Sequence, residues 1–204
     1  MGRDNIGDEM DAIIRNRRKY AAFWDWRQDK KVEEWDVVEE LLRSMHANGD
    51  HRYRGPVESF DDDPPDCVIR DSRGKQVGVE ATEFVDQDAI EVCERDLDLD
   101  VYREWTTKAV REKVEQILKS KDEKAYDRSR YSKAILVIYT DERVLQSPEL
   151  FPMLDASPFP RPRNIDEAYF ICSYEPNLGY PYRRLNLDGL QPPDPATEGG
   201  TQGI

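Results

Sequence analysis

Apolar and polar positions along the chain alternate with the periods of helices and strands, and their order outlines a mixed architecture. From Met10 to about Trp26, the residues Met10, Ile13, Ile14, Ala21 and Trp24 fall roughly on one helical face. Val32, Trp35, Val38, Leu41, Leu42 and Met45 recur every three or four positions, which predicts a helix over 32–47 closed by Asn48-Gly49. A loop rich in Gly, Pro and Asp follows and ends in Asp61-Asp62-Asp63-Pro64-Pro65. Two strands are expected at 66–71 and 76–85, turning at Ser72-Arg73-Gly74. An acidic connection leads into a long helix over 101–119, with Tyr102, Trp105, Ala109, Val110, Val114 and Ile117 as its buried stripe. Ala134 to Tyr139 is apolar without alternation, as in a strand covered on both faces, and Thr140-Asp141 resembles a helix cap. A proline-rich loop then precedes a strand at 167–174, and the tail 191–204 has the composition of a disordered segment. The expectation is an α/β protein with a mixed central sheet flanked by helices, one domain over residues 1–190.

The hairpin register follows from its own residues. A three-residue loop with Gly74 in the left-handed position pairs Asp71 with Lys75 and, counting back, Asp66 with Glu80. Cys67, Ile69, Val77, Val79 and Ala81 then share one apolar face. A slip by one residue would mix them with Gly78 and Glu80. Directly opposed residues point to the same face with Cβ atoms roughly 5 Å apart. Asp66 and Glu80 therefore meet, with Thr82 on the same face. Two carboxylates this close require either a proton or a positive charge between them. Mg²⁺ is a usual solution, since it takes one or two carboxylates and keeps several waters. The plainer alternative is a carboxylate pair on a solvated sheet face.

Composition narrows the classes. The 204 residues are 38% hydrophobic, lean for two cores, and the formal charge of −13 disfavours generic polyanion binding. Charge is uneven, however: residues 66–100 hold 11 acids and 4 bases, whereas residues 103–133 hold 10 bases and 6 acids. A local basic stripe is what phosphate contacts need, although a solvated helix surface has the same composition. Only two histidines, His46 and His51, are present, which argues against His-metal nuclease sites and Ser-His-Asp hydrolysis. No glycine-rich nucleotide loop occurs. Cys67, Cys93 and Cys172 are odd in number and far apart, so free buried thiols in a reducing compartment are expected. No apolar run is long enough to cross a bilayer and the start lacks a signal-peptide layout, so the expected location is the cytoplasm, with no membrane partner.

Pro65-Asp66, thirteen residues, then Glu80-Ala81-Thr82 resembles the PD-(D/E)xK motif of the restriction-endonuclease-like nuclease superfamily. The stretch Val79-Glu80-Ala81-Thr82-Glu83 also looks like uncharacterised microbial members with a Val-Glu-Val-Thr-Glu strand. The resemblance covers about residues 30–140 and implies an αβββαβ core. It implies that Asp66, Glu80 and the Ala81 carbonyl hold Mg²⁺ or Mn²⁺, joined by a glutamate of the preceding helix. Glu34, which periodicity turns towards the protein, is preferred over Glu39 for that place. The implied activity is metal-dependent hydrolysis of DNA, in defence against foreign DNA. A catalytically inactive, protein-binding version of the fold and a related RNase stay open, as do a homodimer and a protein partner. Thr82 stands where the motif has lysine and cannot supply its charge; Lys108 or Lys113 on the long helix, a second metal-bound water, or a loss of activity are the alternatives. Arg161 and Arg163 are candidate backbone grips, and Asp61 to Asp63 a candidate metal attractor, though solvated loops explain all five.

Overall fold

The hairpin adopts the register that the apolar pattern selects. Strand β2 (Cys67–Asp71) and strand β3 (Gln76–Glu83) pair antiparallel with Cys67 opposite Val79 and Ile69 opposite Val77. At the turn Asp71 N–H donates to the Lys75 carbonyl, and Gly74 takes a φ of +82° that favours glycine. The computed structural model describes residues 30–59, 64–95, 104–142 and 144–190. The expected helix over 10–26, Asp61 to Asp63, Tyr102 and the tail 191–204 lie outside those residues.

Around the hairpin stands one six-stranded sheet in sequential order. Helix α1 (Lys30–Ala47) precedes β1 (Tyr53–Ser59), which pairs antiparallel with β2. After β3 come α2 (Gln87–Arg95), α3 (Thr107–Asp122) and β4 (Lys133–Thr140), the last parallel to β3. Helix α4 (Ser147–Asp155), strand β5 (Glu167–Cys172, parallel to β4) and strand β6 (Tyr182–Arg184, antiparallel to β5) complete it. The fold is thus α/β with a mixed sheet flanked by helices.

Two cores lie on the two faces. Val37, Val38, Leu41, Leu42 and Met45 of α1 pack on Cys67, Ile69, Val77, Val79, Ala81, Ile135 and Val137. On the other face Val110, Val114 and Leu118 of α3 and Leu150 and Leu154 of α4 pack on Leu136, Ile138 and Phe170. Central strand β4 is buried on both sides, which explains its unalternating run. Cys67 and Cys172 are buried free thiols, the Cys67 thiol pushed up to about 12 by burial.

The differences from the sequence reading have local causes. Strand β1 falls in the segment read as a loop: it is an edge strand with a register shift between Arg54 and Glu58, and only Tyr53 and Val57 are buried. Gly55-Pro56 signals a turn in sequence, yet an edge strand with a bulge tolerates it. Helix α2 occupies much of the acidic connection, docking through Ala89 and Ile90. Helix α4 lies in the proline-rich loop; Pro148 sits in its first turn, where proline costs no hydrogen bond. Helix α3 starts later than expected because Thr106 caps it, accepting from Ala109 N–H at 3.2 Å. Thr140 is no cap. Its hydroxyl donates to the Phe84 carbonyl at 2.7 Å and ties the ends of β3 and β4 together.

Candidate functional site

Where β2 begins, the hairpin ladder ends and two carboxylates face each other. Ser132 N–H donates to the Gln76 carbonyl and Phe84 N–H to the Tyr139 carbonyl. Even-numbered residues of β3 therefore turn their backbone groups to β4, and odd-numbered ones to β2. Continuing the register places Asp66 opposite Glu80. That pair is of the non-hydrogen-bonded type, which brings side chains closest. Pro65 leaves the ladder: it has no N–H to give, and its ring lies over Gly78. A Cβ on Gly78 would stand 3.3 Å from both Cβ and Cγ of Pro65, so glycine is what permits the approach. With the ladder ended, Ala81 N–H is taken by Asp66 Oδ2 at 2.8 Å. The Ala81 carbonyl is directed to that same side of β3.

Glu80 is fully buried, at 0% exposure. Its Oε1 accepts from Lys121 Nζ and from Lys124 Nζ, each at 2.6 Å, whereas its buried Oε2 has no hydrogen-bond partner. Lys121 lies in the last turn of α3 and Lys124 follows it by three residues. Asp66 is half-buried; burial pushes its carboxyl up to about 6, and Glu80 and Glu34 add to the rise. The Ala81 N–H and Lys121 oppose it. Glu34, 5% exposed, comes from α1 on the other sheet face and pairs with Lys30 at 3.0 Å. The Lys30 ammonium is held above its ordinary value by that hydrogen bond to Glu34, with Asp66 and Glu80 contributing.

Asp66, Glu80 and Ala81 thus meet at one end of the hairpin; Glu34, buried where Glu39 is not, bears on Asp66 from the other sheet face but does not complete the three-carboxylate ligand set that was expected. Thr82 follows on β3, opposite Ile138 of β4 and half-buried. Lys108 is not brought to the carboxylates. Its side chain is 82% exposed and pairs with Glu112 at 3.7 Å. Lys113 lies over the Phe84 ring at 5.7 Å. The lysines that reach Glu80 lie beyond the end expected for the long helix, in the run Lys119-Ser-Lys121-Asp-Glu-Lys124. The local excess of basic residues was a signal for them; the shorter helix hid it. Arg163 sits near the end of α3, its N–H donating to Asp122 at 2.9 Å. Arg161 lines a cleft of about 340 Å³ beside Arg184 and Glu167.

As a metal site the arrangement offers two carboxylates and a backbone carbonyl. Among the described residues no group of three or more His, Cys, Asp or Glu side chains is arranged to hold an ion. Two carboxylates suffice for Mg²⁺, which keeps most of its waters, and the unpartnered Glu80 Oε2 is the oxygen that fits such an ion. No helix among the described residues is long and apolar enough to cross a membrane. No protein-family model, no curated protein and no solved structure matches the chain.

Proposed function

We propose that this protein is a divalent-metal-dependent endonuclease that hydrolyses DNA, built on a restriction-endonuclease-like core. The observation that carries the proposal is the opposed pair Asp66 and Glu80, with Glu80 Oε2 buried and unpartnered beside Asp66. The order α1, β1, β2, β3, α3, β4, with β4 parallel to β3, accords with the αβββαβ core of the resemblance, helix α2 being inserted. In this reading Asp66, Glu80 and the Ala81 carbonyl hold Mg²⁺ or Mn²⁺, with Glu34 behind them. An ion held there polarises a phosphate oxygen and lowers the pKa of a bound water, which phosphodiester hydrolysis needs. Lys121 and Lys124 provide the charge that Thr82 cannot. Their ammonium groups both donate to Glu80 Oε1, and either one turned from it would be a donor to a phosphate oxygen.

A second reading has its own observation. The two lysines already balance Glu80, so the site is complete without metal, as in an inactive nuclease-like fold that binds another protein. Cleavage of plasmid DNA, single-stranded DNA and RNA with Mn²⁺, Mg²⁺ or EDTA separates the readings. Wild-type cutting that EDTA and Asp66→Ala or Glu80→Ala abolish supports the nuclease, and preference for RNA changes its substrate. No cutting, together with no Mn²⁺ binding by calorimetry, refutes the nuclease reading.

A further inference from the structure

At the opposite end of the same hairpin lies a cleft that the carboxylate pair does not involve. Its volume is about 390 Å³, and Arg52, Tyr53, Arg73, Lys75 and Lys133 line it together with one acid, Asp71. It opens where β3 and β4 begin, four to five residues before Glu80, or about 13–17 Å along a strand. In a chain of net charge −13, four cations around one cleft are out of character.

The acids nearby are already engaged. Asp71 Oδ1 accepts the backbone N–H groups of Arg73 and Lys75, both at 2.9 Å, and so shapes the turn. Asp50 is bound by Arg52 at 2.7 Å. Glu167, 5% exposed, accepts from the Tyr53 and Tyr169 hydroxyls at 2.7 Å, and Lys133 and Arg52 also bond to it. That buried carboxylate holds Lys133 at the cleft wall and, together with Asp50, holds Arg52 there, their side chains still 41% and 43% exposed. Arg73 and Lys75 are exposed and make no ion pair among the described residues. Two positioned cations and two uncommitted ones therefore converge on a space larger than a lone phosphate and within the range of small-molecule sites.

We propose that this cleft binds a phosphate monoester, with Arg73 and Lys75 supplying the uncompensated charge and Lys133 and Arg52 fixed in place by Glu167. Arginine suits the fork of a phosphate and lysine its charge. The phosphate belongs either to a free nucleotide or to the 5′ end of a strand. The site is independent of metal at Glu80.

Binding of inorganic phosphate, adenosine monophosphate, and a five-nucleotide thymidine oligomer with and without its 5′-phosphate would be measured by calorimetry. The proteins are wild type and Arg73→Ser/Lys75→Ser, two exposed positions whose backbone bonds to Asp71 survive the change. Saturable binding of the phosphorylated probes, weakened at least tenfold in the variant, is expected. Tighter binding of the 5′-phosphorylated oligomer than of the nucleotide assigns the strand end; equal binding assigns the free nucleotide. No saturable binding by wild type, equal affinity in the variant, or indifference to the 5′-phosphate and to both small phosphates would each overturn the proposal.

Discussion

Removing the two lysines from Glu80 should expose how its buried charge is balanced. Glu80 has a side chain 1% exposed, with Lys121 and Lys124 as its cationic partners, 19% and 29% exposed. In Lys121→Met alone, Lys124 still holds Oε1, and a cost of about 1–2 kcal/mol is expected, the range of one charge-assisted hydrogen bond. In Lys121→Met/Lys124→Met the carboxylate is buried with no cation bonded to it, and stranding a buried charge costs about 3–5 kcal/mol. For a chain of this size that is a fall in Tm of roughly 6–20 °C. Adding Glu80→Gln to the double variant removes the charge and should bring stability back to within about 1 kcal/mol of wild type, since neutral replacements of buried ion groups are often tolerated. Urea unfolding at pH 7 in EDTA measures all four proteins. Repeating the double variant with Mn²⁺ adds a further arm: at one hundred times its Kd an ion bound only to the folded form restores about 2.7 kcal/mol. A double lysine variant within about 1 kcal/mol of wild type would refute the charge-balance argument. So would a triple variant as unstable as the double one, which would assign the loss to packing.

The remaining predictions concern titration and close approach. Because the Asp66 carboxyl is raised to about 6 from 3.8, the folded metal-free chain binds more protons than the unfolded one across that window. Its stability should fall as pH rises from about 4 to about 6, by about 1–2 kcal/mol after solvent screening, and Asp66→Asn should flatten that slope in EDTA. Glu167 behaves oppositely: burial alone would raise it, but hydrogen bonds from Lys133, Tyr169 and Tyr53 outweigh burial and hold it at about 2. The stability it contributes is present above 4.5 and lost as pH falls towards 2, so the cost of Glu167→Gln in urea melts, about 2–3 kcal/mol at pH 7, should shrink on acidification. Gly78→Ala should cost about 1–3 kcal/mol by pressing on the Pro65 ring, and it should shift the Asp66 titration followed by carboxyl NMR.

Much of the architecture was legible because the signals were local. Period-two apolar positions in β2 and β3 selected one register, since a one-residue slip would have exposed Val77 and Val79. That register set Asp66 against Glu80 and put Thr82 on the same face. Heptad-like spacing in α1 turned Glu34 inwards, and the unalternating run in β4 announced a strand covered on both faces. Elements with little burial were not legible. Strand β1 keeps only two side chains in the core, α2 docks through Ala89 and Ile90, and α4 is written in prolines.

Which of the basic residues partner Glu80 was decided by the tertiary structure. Lys121 and Lys124 lie about forty residues from it in sequence and reach it only because the crossover helix lays its last turn over β3. The same holds for the basic cleft, whose cations come from three segments, two of them, Arg52 and Lys133, bonded to Glu167, a residue far from all of them in the chain. A sequence carries the spacing of groups within one element; the distance between elements is decided by how their apolar faces pack.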